Sequence, residues 1–350
     1  MTIDGLAVIV QPGMTVYEAA CQVKVSIPVL CHHDGVTPTG GCGICTVLEV
    51  TTGRLLPACV TRAEETMVIN TTAPAALEYR RTALALLLSN HPADCEAPCQ
   101  LACPSGLPVH RVMMKILADD FEGARVLARQ YPFVCEGAAP CERACRRSPF
   151  GGAVSICALH RWLAGDASTQ TEPVPPPPSQ PVPRFRSRMR GICAEEQLAL
   201  SREAGPRCLD DNTGDITEAQ ARYEAARCLQ CGCLKPADCR LREVCATVGA
   251  KQPLPEGACS PIIREQTRTG FCFDASRCIL CGLCVRAAKA RGVSLAPAFH
   301  GRGFEARIGP PLGRTWDDLS EAVLRDSAAI CPTGAMCWIT NTPPEPLAKE

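Results

Sequence analysis

The chain has 350 residues, 36 of them basic and 36 acidic, so it is formally neutral at pH 7. Neutrality gives no electrostatic footprint for nucleic acid. The opening MTIDGLAVIV has none of the basic, apolar and cleavage regions of a secretory leader. The longest apolar run near the middle, Ala83 to Leu88, is far too short to cross a bilayer. The unusual residue is cysteine, with 26 copies. Disulfide-dense proteins are usually short and secreted, so thiols in a chain this long point to a reducing cytoplasm and to metal ligation. Aromatics are only 4%, which predicts a lean core whose folding draws on bound metal. The length suits two or three domains.

Apolar and polar residues alternate from Ile3 to Val10, turn at Pro12-Gly13 and then take a helical pattern, which predicts a hairpin followed by a helix. Next comes Cys31-x10-Cys42-x2-Cys45-x13-Cys59, with Gly40, Gly41 and Gly43 around the middle pair. Without Cβ atoms the backbone can wrap an inorganic core and aim N–H groups at sulfur. The competing reading is a four-thiolate zinc site, although zinc loops normally bring ligands in two tight pairs. With its IPVLCHHD lead-in and PAC close, the stretch resembles the N-terminal [2Fe-2S] domain of the large iron–sulfur subunit of respiratory complex I. Related hydrogenase and formate dehydrogenase subunits share that domain. The resemblance covers residues 1–72 and implies a β-grasp fold with Cys31, Cys42, Cys45 and Cys59 on one [2Fe-2S] cluster. Cys21 lies outside this pattern and is expected to be a buried helical thiol.

Ala75 to Ser89 carries Leu77, Leu84 and Leu88 on one helical face and delivers His91 beyond its end. In complex I such a helix ends in a histidine that ligates a [4Fe-4S] cluster. The chain continues with Cys95-x3-Cys99-x3-Cys103-Pro104 and, two helices later, Cys135-x5-Cys141-x3-Cys145. Two groups of closely spaced soft ligands suit a domain with two clusters, because each cluster presents several metal corners to one short loop. Here the sequence looks like the two-cluster domain of the glutamate synthase small subunit and dihydropyrimidine dehydrogenase. Carried over by position, one [4Fe-4S] cluster takes His91, Cys95, Cys99 and Cys145. The other takes Cys103, Cys135, Cys141 and His160, with Cys157 one turn earlier as the alternative to His160. The helices between, HRVMMKILADD and FEGARVLARQ, carry Val112, Ile116, Val126 and Leu127 as ordinary packing.

Residues 171–183, TEPVPPPPSQPVP, read as a stiff polyproline linker reaching about 40 Å at ~3.1 Å per residue. In the glutamate synthase relatives such a stretch leads into an FAD domain with a Gly-x-Gly-x-x-Gly turn. The chain has no such turn, so no flavin or nucleotide is expected on it. After helical patterns at 185–205 and ITEAQARYEAA come Cys228-x2-Cys231-x-Cys233-x5-Cys239, read as a further [4Fe-4S] cluster or a structural zinc site. Cys245 or Cys259 could replace one of the four. Finally Cys278-x2-Cys281-x2-Cys284 with a distant Cys331-Pro332 is a bacterial ferredoxin-type set for one [4Fe-4S] cluster. Cys193, Cys208, Cys272 and Cys337 are read as structural thiols.

The expected architecture is α+β. It comprises the [2Fe-2S] domain at 1–72, a helical two-[4Fe-4S] domain at 73–168 and a linker at 169–190. A ferredoxin-like C-terminal domain at 191–350 follows, with one or two [4Fe-4S] clusters. No Ser/His/Asp arrangement, phosphate loop or HExxH is present, so no catalytic residue is expected. One [2Fe-2S] and three to four [4Fe-4S] clusters without a substrate site describe a cytoplasmic electron-transfer subunit. Its expected partners are an NAD(P)H-linked flavoprotein and a redox catalytic subunit of the molybdenum or tungsten formate dehydrogenase or hydrogenase type. Delivery of electrons to a glutamate synthase-like or pyrimidine-reducing enzyme is the alternative, and a non-redox zinc scaffold is a third.

Overall fold

The alternation at the N-terminus folds as a short hairpin, β1 (Thr2–Ile3) and β2 (Leu6–Ala7), in a computed structural model of the chain. The structure describes residues 1–91, 95–135, 139–165, 205–209, 215–235, 238–251 and 264–338. The polyproline tract, the helical pattern at 185–205 up to its last residue, Cys193 and Cys259 lie outside these residues. Helix α1 (Val16–Gln22) starts where Thr15 and Glu18 form a capping box, Glu18 N–H donating to Thr15 Oγ1 at 3.2 Å and Thr15 N–H to Glu18 Oε2 at 2.7 Å. Strands β3 (Thr46–Glu49), β4 (Arg54–Pro57) and β5 (Val68–Asn70) complete a five-stranded sheet of order β2-β1-β5-β3-β4. The β1–β5 pair is parallel and the others antiparallel. Ile3, Val16, Val47 and Ile69 form the core beneath it. Cys21, expected to be buried, is exposed in the last turn of α1.

Helix α2 (Pro74–Asn90) buries Ala76, Arg80, Leu84 and Leu88, one residue per turn along one stripe. Leu77 is only half-buried. The charged residue inside an otherwise apolar stripe is Arg80, whose Nε–H donates to the Thr46 carbonyl at 2.9 Å.

The middle of the chain is helical: α3 (Pro98–Ala102), α4 (Val109–Leu117), α5 (Phe121–Arg129), α6 (Pro140–Arg143), α7 (Ile156–Ala164) and α8 (Glu218–Ala226). Val112, Met113, Ile116, Leu159, Leu163 and Ala221 share one core. Val126 instead faces solvent. Helix α9 (Arg240–Val248) follows, then β6 (Arg264–Gln266) and β7 (Phe271–Asp274), α10 (Leu283–Ala290), β8 (Ala298–His300) and β9 (Arg307–Gly309), α11 (Glu321–Ile330) and β10 (Met336–Trp338). The strands form a three-stranded sheet β10-β7-β6 and a two-stranded sheet β8-β9.

The described residues fall into two compact units, both interrupted in sequence. One joins those of 1–91 to those of 238–337; the other takes in those of 95–165 and 205–235. In the first, Leu30, Leu84 and Leu88 pack with Leu241 and Val244 of α9, and Val36 packs on Leu283 and Ala287 of α10.

The second unit is fastened by a buried ion pair. Arg227, at the end of α8, bonds Glu224 at 2.9 Å, and both side chains are essentially inaccessible. The guanidinium also donates to the carbonyls of Gly151 (2.6 Å), Gly152 (2.7 Å), Ala153 (3.1 Å) and Gly205 (3.1 Å). Glu224 accepts the N–H groups of Ser155 and Cys208. Two loops without regular ladders are thereby satisfied by one charged pair. Removing one partner of such a pair strands a buried charge. Glu224→Ala is expected to cost about 3–5 kcal/mol in anaerobic denaturant titrations, and a loss below about 1 kcal/mol would show that Arg227 finds water instead.

Candidate metal centres

In the N-terminal domain the loop between α1 and β3 and the turn after β4 bring Cys31, Cys42, Cys45 and Cys59 together. The four form two thiol pairs. A hydrogen bond from Cys42 holds the Cys31 thiol down to about 5, while that bond and burial push Cys42 up. Cys45 and Cys59 repeat the arrangement, Cys45 raised and Cys59 lowered by their mutual bond. A two-iron core needs two terminal thiolates on each tetrahedral iron, so two adjacent pairs fit it. The Ile44 N–H faces Cys42, a Gly40 backbone group faces Cys59 and the Thr39 hydroxyl faces Cys31. Gly40 (φ +66°) and Gly43 (φ +68°) are required here: a Cβ would stand 3.0 Å from Val60 Cγ2 and from Tyr79 Cε1 respectively.

The C-terminal set also converges. Cys278, Cys281, Cys284 and Cys331 line one cavity with Ile308 and Met336. Burial raises the Cys278 thiol to about 11 and Cys281 to about 12, and raises Cys284 further. Leu280 sits at φ +53°, and N–H groups of Leu280 and Leu283 face the Cys278 and Cys281 sulfurs. Beneath this loop Asp274 accepts Arg277 Nε–H and Arg264 Nη2–H, both at 3.0 Å. Burial favours the neutral acid, yet the two guanidiniums hold the Asp274 carboxyl below its usual range.

In the second unit Cys103, Cys135, Cys141 and Cys157 group together. Cys141 and Cys157 sulfurs are 3.8 Å apart, Cys157 is in hydrogen-bond contact with Cys135, and Cys103 bears on Cys135. His160 is otherwise engaged: its Nε2 lies 2.9 Å from the Tyr131 carbonyl and 3.4 Å from that of Ala128, with the ring edge-on to Phe133. The two candidates lie one turn apart on α7, and Cys157 is the one in contact with the other thiols.

Cys99 and Cys145, expected to share a cluster, do lie close together, but with Cys228 and Cys231 as company. His91 belongs to the first unit, capping α2 beside Arg277 and Asp274, while Cys95 belongs to the second. Burial, assisted by Arg277, takes the His91 imidazole down to about 3, so it is neutral. Cys239 is likewise in the first unit, its sulfur 3.9 Å from the Pro332 carbonyl, whereas Cys228, Cys231 and Cys233 are in the second. Among the described residues no three His, Cys, Asp or Glu side chains draw in tightly enough to hold a single ion.

Sequence patterns missed the arginines. Arg80 is 4% exposed and lies within electrostatic reach of Cys45. Arg286 of α10 donates to the carbonyls of Cys31 (2.7 Å) and Cys281 (3.1 Å). Arg80 did leave a trace, a lone cation in an apolar stripe with a four-residue repeat.

Residues 1–74 match the family model of the 2Fe-2S iron-sulfur cluster binding domain. The chain is 34% identical over 93 residues to the NADH-ubiquinone oxidoreductase 75 kDa subunit of Reclinomonas americana, which is 27% of this chain and 14% of that protein. It is 36% identical over 100 residues to the NADP-reducing hydrogenase subunit HndD of Solidesulfovibrio fructosivorans, covering 27% of this chain and 17% of that one. With the NADPH-Fe(3+) oxidoreductase subunit alpha of Geobacter sulfurreducens it shares 34% identity over 95 residues, 27% and 11% of the two chains. These matches span less than a fifth of each relative's length. A chain of an NAD+-reducing [NiFe]-hydrogenase, solved in the H2-reduced state, has a similar fold. Its TM-score is 0.50 at 19% identity, covering 99% of this chain and 90% of that one. The chain is thus a mixed α+β protein with an N-terminal 2Fe-2S domain.

A buried cation favours the reduced, more negative state of a nearby cluster. Arg80→Leu is expected to lower the [2Fe-2S] midpoint potential by tens of millivolts, since ~1 kcal/mol of attraction is about 40 mV for a one-electron couple. Electron paramagnetic resonance during a redox titration reads the shift, and an unchanged potential would exclude this role.

Proposed function

We propose that the chain is an iron–sulfur electron-transfer subunit of an oxidoreductase complex. It relays single electrons between an NAD(P)H-linked flavoprotein and a redox catalytic subunit of the hydrogenase or formate dehydrogenase type. The observation that carries this reading is Arg286. One guanidinium bonds the backbone beside Cys31 and beside Cys281, so the [2Fe-2S] loop and the ferredoxin-type loop are hydrogen-bonded to the same side chain. Cys31 is within electrostatic reach of Cys281, and Ile279 packs in the cluster that includes Cys42. Two ligand loops held this close suit charge transfer from one centre to the next.

Iron–sulfur cores accept and release one electron at a time. On this reading the chain's own residues fix the spacing of those cores and set their potentials through N–H···S bonds, burial and nearby cations. Cys278, Cys281, Cys284 and Cys331 hold one [4Fe-4S] core, and Cys103, Cys135 and Cys141 a second with Cys157 in place of His160. The relatives' names, subunits of NADH-ubiquinone oxidoreductase and of an NADP-reducing hydrogenase, support the choice of partners.

Anaerobically purified protein should contain iron and acid-labile sulfide, and Cys42→Ser should remove a rhombic [2Fe-2S] signal while leaving the [4Fe-4S] signals. Zinc without sulfide would sink the proposal. Alone, the chain should oxidise no NADH. Arg286→Leu should keep both signals and slow electron equilibration between the two centres after pulsed one-electron reduction. Equal rates would show that the Arg286 link is structural only.

A further inference from the structure

Cys228-Leu229-Gln230-Cys231 repeats the turn of the ferredoxin-type loop. Gln230 takes φ +47° as Leu280 takes +53°, and the Gln230 N–H donates to Cys228 Sγ at 3.4 Å. Helix α8 delivers this turn to a cavity whose wall already holds Cys99 from α3 and Cys145 from just beyond α6. The loop is pinned there by three contacts. Cys233 N–H donates to the Cys95 carbonyl at 3.2 Å, His110 Nε2 bonds the Cys233 carbonyl at 2.7 Å, and Gly232 lies where a Cβ would be 2.8 Å from the His110 ring.

Charge points the same way. Arg147 lines the cavity, is fully buried, and has Cys145 and the equally buried Arg227 as neighbours. Arg227 is already paired with Glu224 at 2.9 Å, and the Arg147 charge beside Cys145 favours thiolates over neutral thiols at this cavity. Four thiolates around an iron–sulfide core supply that negative charge.

We propose that Cys99, Cys145, Cys228 and Cys231 hold one [4Fe-4S] cluster. The cysteines beyond the polyproline tract then complete a centre begun before it, instead of forming a separate one with Cys239. This rests on the reading that the cysteine groups ligate iron–sulfur cores. The set needs no histidine, so neither His91 nor Cys239 is a ligand of this centre.

The test uses the full chain, purified anaerobically, with iron, sulfide and low-temperature electron paramagnetic resonance compared among variants. Cys99→Ala and Cys228→Ala should each lose the same [4Fe-4S] signal, and the double variant should lose no more iron than either single. Cys239→Ala should keep that signal. Two different signals lost by Cys99→Ala and Cys228→Ala, with additive iron loss in the double variant, would overturn the assignment. Retention of the [2Fe-2S] signal reports that a variant has folded.

Wild-type protein supplies an independent readout that needs no substitution. During slow oxidative loss of clusters, alkylation followed by mass spectrometry should find Cys99, Cys145, Cys228 and Cys231 becoming reactive together. Separate time courses for the two halves would also overturn it. Wild-type protein lacking iron and sulfide would instead refute the broader function, so the two failures are distinguishable.

Discussion

A guanidinium bonded to backbone carbonyls recurs beside the cysteine loops, and the packing of these loops depends on it. The backbone at Cys31, Cys42, Cys278 and Cys281 runs outside helix and strand, with N–H groups turned toward sulfur and many carbonyls without a ladder partner. Arg80 takes the Thr46 carbonyl, Arg286 those of Cys31 and Cys281, and Arg227 those of Gly151, Gly152 and Ala153. An arginine has five donors in a rigid fork and stays charged when buried. It therefore satisfies several carbonyls at once while placing positive charge near sulfur. A lysine offers a point charge and fewer fixed directions.

The same device explains how a chain with few aromatic residues orders so much irregular backbone. Asp274 shows the complementary case. It accepts Arg264, Arg277 and the Ser276 N–H, while the Thr333 hydroxyl binds the Arg277 carbonyl. The strand end at Asp274, the turn leading to Cys278 and the segment after Cys331 are thereby tied to one buried ion pair. Breaking one member leaves the rest unsatisfied, so the network defines one loop geometry more than it adds net stability.

Local groupings of cysteines were legible in the sequence. Cys42 and Cys45, or Cys278, Cys281 and Cys284, are neighbours because their spacing makes them so, and glycines at the tight turns mark the close approach. Helix α2 with Leu84 and Leu88 on its buried face, the amphipathic patterns of α4 and α5 and the helical pattern of α8 were equally readable. Partnerships set by tertiary packing were not. Cys157 and His160 share one helix, and only the placement of the Tyr131 carbonyl shows which one faces the thiols. Cys228 joins Cys99 through the docking of α8 on α4, which no spacing rule encodes. Cys21 was misjudged because a helix of seven residues has little room for a second buried side. The arginines escaped notice because a cation in sequence ordinarily marks a solvated face.

These arrangements tie folding to ligand binding. Cys278 and Cys281 are buried enough that their thiols hold protons well above neutral pH, while Arg80 and Arg147 are buried beside Cys45 and Cys145. Facing neutral sulfur, these two arginines would keep part of their desolvation cost. Thiolates on an iron–sulfide core reverse both terms, supplying negative charge and releasing the protons. On the proposed reading, cluster insertion and final packing of the ligand loops form one coupled equilibrium, in which the buried cations favour the loaded state over the empty one.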